Sequence, residues 1–247
     1  MTRSFHFSTG LLIKAIAVWL GLSTIGLLII ALVGAPPNTR AVLLMGAGLV
    51  AFWVLIGGIL TLCLRDRIRT WVLAIKLDWR IKFVLFATTL ALIEEAITTT
   101  MTNLAPVFGV PLGAAYITAS ANYLDVVCLH SVVVFIPMFI AWSFLLQCYS
   151  FSPNSVLLLF GITGITGEAM FGGPQAFAEF GLWIFVYGLM VYLPAYTLPN
   201  DRGAKPPRWW HYVLAVFFPV VLSAPVAMII STLHPIPIHF PPILPGT

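Results

Sequence analysis

The chain has 247 residues, 60% of them hydrophobic and only 8% charged, with a formal net charge of +4 and a mean hydropathy of +1.03. A soluble domain carries about 25% charged residues, and no water-soluble fold of this length hides so much apolar surface. Composition therefore excludes a soluble globular enzyme, offers no nucleic-acid partner, and leaves an integral membrane protein whose first partner is the lipid bilayer.

A membrane-crossing helix needs roughly 20 apolar residues. On that criterion the sequence predicts an all-α polytopic bundle of about seven transmembrane helices, one domain covering 1–247. The spans fall at 11–34, 41–64, 82–104, 122–148, 155–171, 177–198 and 209–233. The first follows MTRSFHFSTG without a small-residue cleavage site and is too long for a signal-peptide core, so it is expected to be retained. Between the second and third spans, RDRIRTWVLAIKLDWRIK mixes basic residues with Trp71, Leu73, Ile75 and Trp79. That pattern predicts an amphipathic cytoplasmic connector resting on anionic lipid. Between the third and fourth, APVFGVPLGAAYITAS is uncharged and carries Pro106, Gly109, Pro111 and Gly113. It reads as an outer loop or a re-entrant segment buried in protein. Pro137, Pro219 and Pro225 predict kinks, and Gly161, Gly164 and Gly167 predict close packing of the fifth span, the shortest, against a neighbour.

Lys and Arg set orientation. With seven spans, Arg3, Lys14, Arg65, Arg67, Arg69, Lys76, Arg80, Lys82, Arg202, Lys205 and Arg208 fall on one side, and only Arg40 lies opposite. The expectation is a multi-pass protein of the cell membrane, its N-terminus cytoplasmic and its tail, HPIPIHFPPILPGT, extracytoplasmic.

The eight acidic residues are divided. Asp66, Asp78 and Asp201 sit among the basic loops, where water solvates them. Glu94, Glu95, Asp125, Glu168 and Glu179 lie inside predicted spans, and a charge at the bilayer centre costs roughly 2.5–3.5 kcal/mol. Counting inward from the outer ends places Glu95 roughly 13 Å deep and His130 roughly 12 Å deep. The other carboxylates fall in the same outer half. Between Lys82 and Arg202 there is no lysine or arginine, so within the bundle only Arg40 offers an ordinary ion pair. Protons or a bound divalent metal ion, such as zinc, must neutralise the rest.

On the third span Thr88, Ala91, Glu95, Thr99 and Thr102 share a face, while Glu94, Thr98 and Met101 are turned by about 100°. This favours Glu95 and His130 as metal ligands, with Asp125 or Glu168 completing the set and Glu94 orienting the site or acting as base. Asn122 and Asp125 equally suit the cap of the fourth helix. His234 and His239 read as solvated tail residues, and Cys63, Cys128 and Cys148 imply no disulfide framework.

No HExxH zinc motif or glycine-rich phosphate loop is present. The Glu94–Glu95 pair, with His130 on a later helix, resembles the prenyl-protease and bacteriocin-processing family of intramembrane metalloproteases. That family has Arg where this chain has Thr99, and it brings a further membrane ligand for which Glu168 would substitute. The likeness covers three residues, and the chain is not assigned to the family.

Three functions follow from these residues. The leading one is a metal-dependent intramembrane enzyme of the hydrolase type, with Glu94, Glu95 and His130 catalytic and a metal-activated water as nucleophile. A proton- or cation-coupled transporter would use the same carboxylates as a relay. A non-catalytic subunit of a larger complex would present them to basic residues of partner membrane subunits.

Overall fold

Helix starts and stops follow short local signals. The computed structural model describes residues 9–236 and 238–242, and every regular element among them is helical. Arg3 and the last five residues of the tail, which enter the orientation argument, lie outside the described residues. Helix α1 spans Thr9–Val33. After Gly34, Ala35 and Pro36, α2 begins at Pro37, where a missing N–H costs nothing, and continues to Ala74. Its middle, Val50–Gly57, widens into a π-helix, and there the Trp53 indole donates to the Val186 carbonyl at 3.0 Å. Helix α3, Trp79–Asn103, is capped by Asp78, which accepts from the Arg80 backbone N–H at 2.9 Å. The Arg80 guanidinium grips the same carboxylate and pulls its pKa down to about 2.

The fourth predicted span is broken. Helix α4, Tyr123–Leu129, opens on Asn122, whose side chain accepts from the Leu124 N–H at 2.9 Å. Helix α5 is Val132–Cys148. Between them the Val126 carbonyl takes the N–H groups of both His130 (3.2 Å) and Ser131 (3.0 Å), which ends α4 and bends the pair by 44°. The break thus sits at His130–Ser131, and the expected kink residue, Pro137, lies inside α5. Helix α6 covers Pro153–Gly172 behind a Ser152 cap, α7 covers Phe180–Tyr196, and α8 covers Trp209–Leu233.

Small residues decide how closely the centre packs. A Cβ on Gly161 would stand 2.7 Å from the Ile184 backbone, and one on Gly188 would stand 2.7 Å from the Leu157 carbonyl oxygen. The backbones of α6 and α7 therefore touch, as the glycine spacing predicts. Gly167 is the exception, with open space beside it. Helix α3 is enclosed by α2, α5 and α7, and α5 packs on α8. Trp142, Phe83, Phe139 and Phe160 are buried at the heart of this group.

The two ends differ. At one, arginines tie α2 and the loop after α7 to their neighbours: Arg65 to Tyr192 (3.3 Å), Arg69 to Asn200 (2.8 Å), and Arg202 to the Leu146 carbonyl of α5 (3.3 Å). At the other, residues 104–122 fold into an irregular cap that uses Gly109 and Gly113 at φ +86° and +88°. This cap buries Ala105, Val110 and Ala115 against Ala41, Met45 and Met101. It is a loop of turns closing the bundle end, and no helix enters the bundle from it.

The expected connector helix is absent as a separate element. Residues 65–74 extend α2, because nothing between Leu62 and Ala74 breaks a helix, and only 75–78 are non-helical before α3. By length and composition α1, α2 and α8 suffice to cross a membrane, and the bent α4–α5 pair makes a fourth candidate. The remaining predicted spans are helices as well, α7 being a shorter apolar one of 17 residues.

Candidate functional site: a buried carboxylate centre

Adjacent residues on a helix point about 100° apart, so burying both Glu94 and Glu95 requires neighbours on two sides of α3. Helices α5 and α7 supply them, and the two residues are only 4% and 6% exposed. The predicted polar face is buried from Ala91 through Glu95 and Thr99 to Thr102, and the Glu94–Thr98–Met101 face is buried equally. Thr98, one turn on, donates its hydroxyl to Glu94 Oε1 at 2.7 Å. The Thr99 hydroxyl, also buried, has no hydrogen-bond partner among the described residues.

Glu168 reaches this centre from α6. It accepts a hydrogen bond from the Tyr187 hydroxyl of α7. Gly164, one turn before Glu168, makes that bond possible, since a Cβ there would overlap the Tyr187 ring. Glu168 lies within electrostatic reach of Glu94 and Glu95, and Tyr187 within reach of all three. On the remaining side Ser131 stands next to Glu95 while donating to the Val126 carbonyl at 3.2 Å. Tyr123 donates to the Leu92 carbonyl at 3.0 Å, one turn before Glu95.

Among the described residues no lysine or arginine bonds to this group. The one ion pair among the described residues is Arg80–Asp78, at the other end. Arg40 lies over the outer cap, its guanidinium 3.4 Å from where a Gly109 Cβ would stand.

His130 goes elsewhere. Its ring meets His239 of the tail at 5.4 Å between centroids, and His239 in turn meets His234 at 6.1 Å. Asp125 completes the outer group and accepts from the Ser120 hydroxyl at 3.2 Å. The tail docks here because the His239 N–H donates to the Ala119 carbonyl at 2.8 Å. The tail histidines, expected in solvent, are half-buried instead.

The four expected metal ligands therefore divide. Glu95 and Glu168 belong to the deep centre, and Asp125 and His130 to the outer group. Ser131, next to His130, stands beside Glu95, but the imidazole itself turns towards the tail. Among the described residues no group of three or more His, Cys, Asp or Glu side chains is arranged to hold a metal ion. Asn122 serves as a helix cap, and exposed Glu179 accepts from the Trp183 indole at 3.0 Å.

Sequence reasoning missed Tyr187, Ser131 and Tyr123. A signal existed for Tyr187, because a tyrosine inside the apolar run GLWIFVYGLM needs a partner for its hydroxyl. No protein-family model, curated protein or solved structure matches the chain.

Proposed function

We propose that the chain is a multi-pass membrane protein of the proton- or cation-coupled transporter class, with Glu94, Glu95 and Glu168 as its loading centre. The carrying observation is that three carboxylates share one apolar interior with hydroxyl partners alone. Thr98 and Tyr187 donate to them, and among the described residues no lysine or arginine does. Three unpaired charges in such a place are prohibitively costly, so protons or a small cation must enter with them. In this reading seven helical segments cross the membrane as one domain, the arginine-rich end faces the cytoplasm, and the His130 group faces outward. Ser131 and Tyr123 lie between the two groups and give protons a route.

Infrared spectroscopy of the detergent-purified protein tests the reading directly. A carboxylic-acid carbonyl band at neutral pH, diminished in Glu95→Gln and Glu168→Gln, is expected. Proteoliposomes carrying the protein should then collapse an imposed pH gradient faster than those carrying Glu95→Gln. A spectrum with only carboxylate bands would end the proton version.

One observation favours the metal-dependent hydrolase instead. The His130 Nε2 atom is buried without a hydrogen-bond partner, as a nitrogen ligand awaiting its metal would be. Elemental analysis separates the two readings: one equivalent of zinc or a similar metal in wild type, lost in His130→Ala and Glu95→Gln, would establish the hydrolase site. A full complement of carboxylate bands with no metal would point to basic residues on a partner subunit.

A further inference from the structure

The arginine-rich end contains a second built feature, unrelated to the glutamates. A cavity of about 410 Å³ is lined by Tyr149, Lys205, Pro206, Arg208, Trp210 and His211. Pockets of that size accommodate a small ligand, and this wall carries two cations and no carboxylate.

Its back is rigid. His211 is 4% exposed and its ring lies against those of Tyr149 and Trp210, centroids 3.8 and 3.6 Å away and tilted by 34° and 41°. Its Nδ1 accepts from the Arg208 backbone N–H at 2.6 Å. An imidazole nitrogen that accepts carries no hydrogen, so the ring hydrogen sits on Nε2. Among the described residues no group accepts that hydrogen, which leaves Nε2–H as a donor on a residue that lines the cavity. Lys205 and Arg208 complete a three-point donor set. The Lys205 backbone is fixed to α5 through Lys205 N–H to the Cys148 carbonyl (3.0 Å) and Ser150 N–H to the Lys205 carbonyl (2.9 Å). Its ammonium is left for a ligand.

The position identifies the source of that ligand. Trp209 and Trp210, 79% and 43% exposed, open α8 beside the cavity, as aromatic residues do at the headgroup level of a membrane. We infer that this cavity binds the phosphate of an anionic phospholipid, with Arg208 and Lys205 neutralising it, His211 Nε2–H donating to it, and the aromatic rings seating its glycerol. A phosphate ester offers several acceptor oxygens to such a set, and a guanidinium matches them two at a time.

Isothermal titration of the full chain in detergent with dioctanoyl phosphatidic acid tests this, beside dioctanoyl phosphatidylcholine and inorganic phosphate. One saturable site for phosphatidic acid is expected, with phosphatidylcholine much weaker. Lys205→Gln and Arg208→Gln should each weaken binding about five-fold, and together about 30-fold. Unchanged melting temperatures would show that both variants fold. His211→Phe keeps an aromatic ring against Tyr149 and Trp210 and should also lose affinity. Equal binding of phosphatidylcholine, or variants that bind as wild type does, would overturn the inference. Inorganic phosphate binding as tightly as phosphatidic acid would overturn the lipid assignment and leave a site for soluble phosphate.

Discussion

Two regions of this protein handle charge in opposite ways. At the basic end, every bridging arginine has a partner in reach: Tyr192 and Asn200 for Arg65 and Arg69, backbone carbonyls for Arg202, and Asp78 for Arg80. Arg80 and Asp78 are exposed, and Arg65, Arg69 and Arg202 are half-buried, so water reaches part of every one of these cations. In the glutamate centre Glu94 and Glu95 are buried, Glu168 is half-buried, and among the described residues the hydrogen-bond partners are hydroxyls. The difference teaches that the number of charges says little about their cost. Packing around them decides it, and here the packing is set by glycines on α6 and α7.

The most forceful way to break the contrast is to open that seam. Gly161→Ala should destabilise by about 1–3 kcal/mol, because its new methyl meets backbone and not a flexible side chain. Gly167→Ala, with open space around it, should cost nothing; thermal melts of both in one detergent would show the split. Removing a donor comes next. Tyr187→Phe leaves Glu168 without the hydroxyl it now accepts from, a loss of about 1–3 kcal/mol for a buried group, and should alter the carboxyl infrared band of Glu168. Glu95→Gln sharpens the comparison by its smallness. Gln mimics a protonated Glu, so stability at neutral pH should change by less than about 1 kcal/mol; a loss of about 3–5 kcal/mol would reveal a buried ion pair instead. The smallest effect belongs to the exposed end. Asp78 has a folded-state pKa held near 2 by Arg80, below its unfolded value, so its contribution is present above about pH 4. It should fade as pH falls from there through 2, and Asp78→Asn should melt as wild type does only at the acid end.

Much of this was legible in the sequence because it depends on period and spacing. Each predicted span contains a helix, and burial of Ala91, Glu95, Thr99 and Thr102 follows from one helical phase. The closeness of α6 to its neighbour follows from Gly161 and Gly164. The break at His130 was not legible, since it rests on a single carbonyl, that of Val126, taking several donors. That break turns the imidazole away from Glu95, and spacing along a straight helix could not foresee it. Nor could spacing reveal that Tyr187 would meet Glu168, a pairing between two helices set by the room beside Gly164. The connector was misread for the opposite reason: an amphipathic pattern does not say whether a helix ends before it begins.

The length of α2 carries a mechanical consequence. Its 38 residues make a rod of about 57 Å, nearly twice the roughly 30 Å of a hydrocarbon core, so in a bilayer a large part of it would stand clear of the lipid. The rod is held near its middle, where Trp53 is bonded to the carbonyl of Val186, the residue beside Tyr187. A tilt of about 10° would swing one end by about 10 Å relative to the other, with the fulcrum next to the tyrosine that serves Glu168. Bilayer thickness and lateral tension, which set the tilt of long helices, would thus bear on the glutamates through a lever.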